Sequence, residues 1–342
     1  MIELGHVRVS GFLDEISPVL NEQFDVANEL GIFDVELRSV SGVNVLKMTP
    51  EQHGAVRAEL KKRGMAVSAI GSPVGKVHLV CSGPRPTYND TWVRYDKDLT
   101  PRMRLEDYIH GAEGDFKKAV SLAMDYGAPR VRVFTFWPPE GDPRWRWRDV
   151  VLQAVNKMGK YVADSKVVFG VDKVVLGVEN ERGLFGNVGA HLKWLFDNID
   201  CPGVVGAVLD PSNFALEGEK PIDAYRDIED HVYWAHIKDS HAWKLGNEYL
   251  WVPEDKQKFA LPGEGGGQIP EIMAKMRHRM VQGSEPFYCT MEPHLQMSDA
   301  AAGQTRYGGT SGPENFKKAT QAFMRILDEI EIPYEKSPHS QA

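Results

Sequence analysis

Apolar residues in this chain fall into short continuous runs that alternate with longer stretches of helical periodicity. Residues 7–12, 33–38, 66–71 and 130–134 are strand-length runs rich in β-branched and aromatic side chains. Four more follow at 174–179, 204–210, 232–236 and 287–292. The last four, apolar at nearly every position before their final residue, predict strands covered on both faces, as in a parallel sheet. Between and after them, residues 23–30, 50–63, 107–126, 149–165, 188–198, 222–230, 269–280 and 313–329 carry helical patterns. Gly31, Gly64 and Gly127 stand just past three of these, where a left-handed residue closes a helix. Eight strand–helix units of about 43 residues each predict a single (β/α)8 barrel, one domain covering residues 1–342. Ser10-Gly-Phe-Leu-Asp-Glu after the first strand lacks the Gly-rich phosphate turn of a doubly wound fold. The long connections, 76–106 and 240–268, follow strands three and seven, where barrel loops commonly cover substrate.

The last four apolar runs end on Glu179, Asp210, His236 and Glu292. A carboxylate at the end of a buried strand is costly unless a cation compensates it. Four such ends on neighbouring strands can reach one point near the barrel axis. Three carboxylates and one imidazole form a hard donor set suited to Mn²⁺, Mg²⁺ or Co²⁺ rather than to a sulfur-rich structural zinc site. The plainer alternative is a ring of barrel-end salt bridges. Asn180, Lys238, Asp239 and His294 flank these ends and are candidates for substrate contact. Arg38 closes strand two, placed either to hold a substrate oxygen or to pair with Glu36. Glu264 lies in Pro262-Gly-Glu-Gly-Gly-Gly-Gln, a segment able to offer backbone N–H groups to an anion or to sugar hydroxyls. Trp137, Trp145 and Trp147 follow strand four and could stack on a ring.

Charge then narrows the partners. The 342 residues carry a net charge of −8, which argues against a nucleic-acid face. No apolar run has the length of a membrane span, and no leader pattern opens the chain. Cys81, Cys201 and Cys289 are widely spaced and odd in number, pointing to reduced thiols in a cytoplasmic protein.

At these positions the chain resembles the xylose isomerase-like (β/α)8 superfamily, in its sugar phosphate isomerase/epimerase branch. The resemblance rests on an ordered set of segments: Gly11-Phe-Leu-Asp-Glu-Ile-Ser-Pro, Val35-Glu-Leu-Arg, Val67-Ser-Ala-Ile-Gly-Ser-Pro-Val-Gly-Lys, Val178-Glu-Asn-Glu-Arg-Gly-Leu-Phe-Gly, Leu209-Asp-Pro-Ser-Asn-Phe, Ala235-His-Ile-Lys-Asp, the glycine-rich segment at 262–268, and Gly309-Thr-Ser-Gly-Pro-Glu. It implies one divalent metal on Glu179, Asp210, His236 and Glu292, Mn²⁺ first, with Mg²⁺, Co²⁺ or Zn²⁺ as alternatives. It assigns proton handling to Glu179 and Glu292. The implied activity is isomerisation or epimerisation of a sugar or oxo-sugar, through proton removal α to a carbonyl and a metal-bound enediolate. The same enolate would serve a lyase by β-elimination, in the manner of a 3-oxo-C-glycoside deglycosidase catalytic subunit or an inosose dehydratase, with the three tryptophans as a platform. An endonuclease IV-like nuclease shares the barrel but needs more metals, more histidines and a basic face. The expected partners are a small sugar substrate, further copies of the chain or a small partner subunit, and neither nucleic acid nor membrane.

Overall fold

A computed structural model describes residues 6–81, 83, 85–95, 102–111, 114–169, 174–283, 285–295 and 311–335. Eight parallel strands form its centre: β1 (Val7–Gly11), β2 (Asp34–Leu37), β3 (Ala66–Ile70), β4 (Arg130–Val133), β5 (Val175–Glu179), β6 (Val205–Leu209), β7 (Val232–Ile237) and β8 (Phe287–Met291). Each pairs with the next, and β8 returns to β1 over Val7↔Phe287 to Gly11↔Met291, which closes the barrel. The principal outer helices are α1 (Leu20–Glu29), α2 (Pro50–Arg63), α3 (Asp115–Tyr126), α4 (Arg148–Phe169), α5 (Gly189–Asn198), α6 (Pro221–Ile228), α7 (Ile269–Gln282) and α8 (Gly312–Glu329). Most of the apolar core lies between strands and helices. Register sets the height of the functional ends: Glu179 stands opposite Val208, and His236 opposite Thr290. No helix among the described residues is long and apolar enough to cross a membrane. Cys81, Cys201 and Cys289 are unpaired.

The structure departs from the hydrophobic pattern at three places. Residues 107–126 do not form one helix. A short helix, Leu105–His110, stops where Gly111 turns extended, with its N–H donating to the Asp107 carbonyl at 2.8 Å, and α3 starts afresh. Pro211–Glu217 forms a helix that the pattern missed, capped by Asp210. The connection after β3 folds in part into an antiparallel sheet of His78–Cys81, Thr91–Arg94 and Met103–Arg104. The connection after β7 contains the hairpin Trp243–Leu245 with Glu248–Leu250.

Inside the barrel, Trp234 packs with Ala69 and Val208. Gly177 makes room for it, because a Cβ there would lie 2.1 Å from the Trp234 ring. Gly177→Ala is therefore expected to destabilise the fold by about 1–3 kcal/mol through overpacking, read as a lower midpoint in urea denaturation at an unchanged slope.

Glu219 supports α5 from outside its sequence, accepting the Gly189 N–H at 2.9 Å. Burial, aided by Asp227, Asp223 and Glu217, pushes its carboxyl up to about 7 despite that bond. A carboxyl raised in the folded state contributes stability that is complete below its unfolded pKa and lost as pH rises through its folded one. Glu219→Gln is thus expected to raise Tm relative to the unmodified chain at pH 8 and to leave it nearly unchanged at pH 4.5. Equal offsets at both pH values would remove the proton from the explanation.

Candidate metal centre

The four strand ends converge. One ligand atom from each of Glu179, Asp210, His236 and Glu292 lies within 4.8 Å of all the others. His236 Nδ1 is 3.1 Å from Glu179 Oε1 and 3.4 Å from Glu292 Oε2. Lys238 Nζ stands beside the set, 2.6 Å from Asp210 Oδ2 and 3.9 Å from Glu292 Oε2. All five side chains are buried.

Each member of the quartet is also anchored on its far side. Arg132 Nη1 donates to Glu179 Oε2 at 3.0 Å. Arg38 Nη1 donates to Glu292 Oε1 at 2.6 Å, and His294 Nε2 is 3.1 Å from the same oxygen. Asp210 Oδ1 accepts the Asn213 N–H at 3.2 Å, with Pro211 at the first position of the helix it caps. His236 Nε2 faces Glu36 Oε2 at 3.2 Å, and Thr290 donates to that oxygen at 2.8 Å. The atoms left pointing inward include His236 Nδ1, Asp210 Oδ2 and Glu292 Oε2, which are buried and make no well-formed hydrogen bond. Buried polar atoms are rarely left so. A divalent cation would satisfy them, so the donors present fit one. The imidazole–carboxylate pair His236–Glu36 is the outer-shell arrangement that fixes a ligating histidine's tautomer.

Electrostatics agree. Burial, with Glu179 and Glu292 adding to it, pushes Asp210 up to about 7 against the pull of Lys238. Burial opposes the imidazolium of His236, but Glu179 and Glu36 outweigh it and raise its pKa well above the usual value. The Lys238 ammonium and the Arg38 and Arg132 guanidiniums supply compensating positive charge beside these carboxylates. Glu15, Glu292 and His294 form a second cluster of donor atoms. A cation already serves it: the Arg38 guanidinium lies 3.0 Å from Asp14, 3.5 Å from Glu15 and 2.6 Å from Glu292.

A family model described as xylose isomerase-like TIM barrel matches residues 24–306. The chain belongs to this family. A search of curated proteins finds no match. Among solved structures, the IolI protein with a bound zinc atom superposes with a TM-score of 0.63 at 12% identity, over 95% of this chain and 99% of that one. D-allulose 3-epimerase from Methylomonas sp. gives 0.61 at 13% identity, over 96% and 100%. The 3-keto-D-glucoside 4-epimerase YcjR of E. coli gives 0.55 at 13% identity, over 95% and 99%. At such identities the likeness is one of fold.

In this xylose isomerase-like barrel the flanking residues take varied positions. Lys238 joins the quartet, and His294, with its side chain 26% exposed, reaches Glu292 from the solvent side while stacking on Phe259. Arg38 pairs with Asp14, Glu15 and Glu292, not with Glu36, because Glu36 faces His236. Asn180 spends its amide on the chain at Asp210, donating to the Asp210 carbonyl and accepting its N–H, both at 2.8 Å. Asp239 is the anion that the glycine-rich segment binds: the amides of Gly263, Gly265 and Gly267 donate to it at 2.9, 3.0 and 2.9 Å, as does Ser240 at 2.9 Å. That segment's N–H groups are therefore committed internally, and Glu264 on it is exposed. The tryptophans do not form one platform. Trp147 is buried with its N–H on Asp142, and Trp145 stacks on Phe185 and lies tilted against His191 of α5. Trp137 stacks on His78. Sequence reasoning missed Arg132 and the Glu36–His236 pair. Burial opposes the ionised form of Glu181, yet Lys76 at 2.5 Å, with Lys238, brings it down to about 2.

Proposed function

We propose that this chain is a divalent-metal-dependent isomerase or epimerase of a sugar or oxo-sugar. Glu179, Asp210, His236 and Glu292 would hold the metal, and Glu179 and Glu292 would move the proton. The observation that carries this reading is the pair of glutamates: both reach the same point, and each keeps one oxygen inward because an arginine holds the other. A metal held there would supply a Lewis acid able to acidify the C–H next to a substrate carbonyl. One glutamate then removes that proton, and the same or the opposite glutamate returns one to the resulting enediolate. Lys238 places a fixed ammonium where negative charge develops on the substrate oxygen. Arg38 and Arg132 keep the carboxylates from turning away, and His294 offers an imidazole at the solvent side for a substrate hydroxyl. The similar epimerases, named for D-allulose and for a 3-keto-D-glucoside, support a sugar or oxo-sugar as substrate. A β-elimination on the same enolate would not have the three tryptophans as one platform, since Trp147 is buried with its N–H on Asp142.

The test is a panel of ketoses and 3-oxo-glucosides incubated in D₂O with metal-stripped and Mn²⁺-loaded full-length chain. Deuterium should enter a carbon adjacent to the carbonyl only in the loaded sample, alongside an isomer or epimer. Release of a leaving group instead would transfer the assignment to a lyase. Equal exchange in stripped and loaded protein would end the metal proposal.

A further inference from the structure

The two arginines that anchor the glutamates share a seat. Phe12 follows β1 and is fully buried. The Arg38 guanidinium lies 4.2 Å from its ring centroid and the Arg132 guanidinium 4.9 Å from it. The same ring meets His236 edge-on, with centroids 5.0 Å apart and planes at 76°. One side chain therefore touches three parts of the site: the histidine ligand and the two cations that fix Glu292 and Glu179. The ring has little freedom to shift. The Phe12 backbone N–H donates to the Met291 carbonyl at 3.1 Å, and Gly71 packs so closely that a Cβ there would fall 2.5 Å from the ring. Arg132 is tied into the same corner, donating from Nη2 to the Gly71 carbonyl at 3.0 Å and from Nε to the Ser72 carbonyl at 3.3 Å. A buried guanidinium over an aromatic face is attracted by the ring's quadrupole, and desolvation strengthens the effect. An apolar residue of the same volume would fill the space without that attraction.

We propose that Phe12 is a positioning residue whose aromatic face couples Arg38 and Arg132 and thereby sets the placement of both glutamates for metal. The proposal rests on the reading of Glu179 and Glu292 as metal ligands. The two arms are unequal. Arg132 also lies 4.9 Å from the Phe134 ring, whereas Arg38 lies over Phe12 alone among the described residues. Weakening the Phe12 face should therefore loosen Glu292 more than Glu179.

The experiment keeps the shape of residue 12 and changes its electrons. Full-length chain is made with phenylalanine, 4-fluorophenylalanine or 3,4,5-trifluorophenylalanine at position 12. A matching series at Phe116, an equally buried ring that packs on Tyr161, controls for fluorination of the core. Two readouts are taken: Tm of the metal-stripped protein, and Mn²⁺ affinity by calorimetry. With position 12 fluorinated, Tm should fall stepwise by about 2 °C or more in total, and Mn²⁺ affinity by about tenfold, while the Phe116 series changes neither in a graded way. A flat Tm series at position 12 overturns the shared seat. A falling Tm with constant Mn²⁺ affinity overturns the positioning role. If the unmodified chain takes up no Mn²⁺ while the Tm series still falls, the seat stands and the metal reading fails on its own.

Discussion

Replacing Asp210 by Asn is expected to remove tight Mn²⁺ binding while leaving the barrel intact. The substitution is selective because the two oxygens of Asp210 have separate tasks. Oδ1 caps the helix Pro211–Glu217, a role Asn fills as well as Asp. The Asn180 clamp grips only the main chain at 210 and survives. Oδ2, beside Lys238, is the inward anion, and that is what Asn lacks. Loss of an inner carboxylate should exceed the about 10–100-fold penalty typical of an outer partner. Glu36→Gln, which weakens only the acceptor behind His236, should fall inside that range. The order D210N, then E36Q, then the unmodified chain is the expected ranking of dissociation constants, measured by calorimetry on chelator-stripped protein. If D210N binds Mn²⁺ as tightly as the unmodified chain, the quartet is a salt-bridge ring rather than a metal centre. Thermal melts of the stripped proteins separate affinity from folding, since D210N leaves the cap in place.

The quartet was legible because Glu179, Asp210, His236 and Glu292 interrupt apolar runs at their ends, where a barrel gathers side chains from distant parts of the sequence. The barrel was legible for a related reason: eight doubly covered strands need eight covering helices, and both periods are written in the chain. The anchors were less legible. Arg132 and Glu36 sit inside strands rather than at their ends. Their partners lie 47 residues away at Glu179 and 200 away at His236. A signal did exist, since a charge inside a buried strand must find a partner across the barrel. Arg130-Val-Arg132 and Asp34-Val-Glu36 both carry charges at alternate positions, the mark of one face turned to a polar interior. Asp-Pro at 210–211 was likewise a helix start, an N-cap followed by proline, hidden under the chemistry of its carboxylate. The glycine-rich segment misled for the opposite reason. Its amides do bind an anion, but that anion is Asp239 of the same chain. Composition cannot tell an external anion from an internal one.

On a confirmed substrate, Glu179→Gln and Glu292→Gln are each expected to lower turnover by about 10²–10⁴-fold, the usual worth of a positioned proton-transfer group. What separates the chemistries is where deuterium still enters. An epimerase with one glutamate per face loses net inversion in either variant, yet each variant retains the glutamate on one face. One should then wash deuterium into the starting sugar, and the other into its epimer. A single-base isomerase behaves differently: one variant stops exchange at both carbons, and the other slows it only through weakened metal binding. Metal content must be measured beside each rate, since both residues belong to the quartet. Each glutamine should stay in place because its carbonyl oxygen still accepts from the arginine, Arg132 for 179 and Arg38 for 292, but this turns its NH2 inward, which is why metal content and rate are read together. If wash-in persists unchanged in both variants while metal is retained, neither glutamate is the base. Proton removal would then have to be assigned to another group at the same focus, and Lys238, 2.6 Å from Asp210 and charged in the stripped protein, would need to lose its proton first.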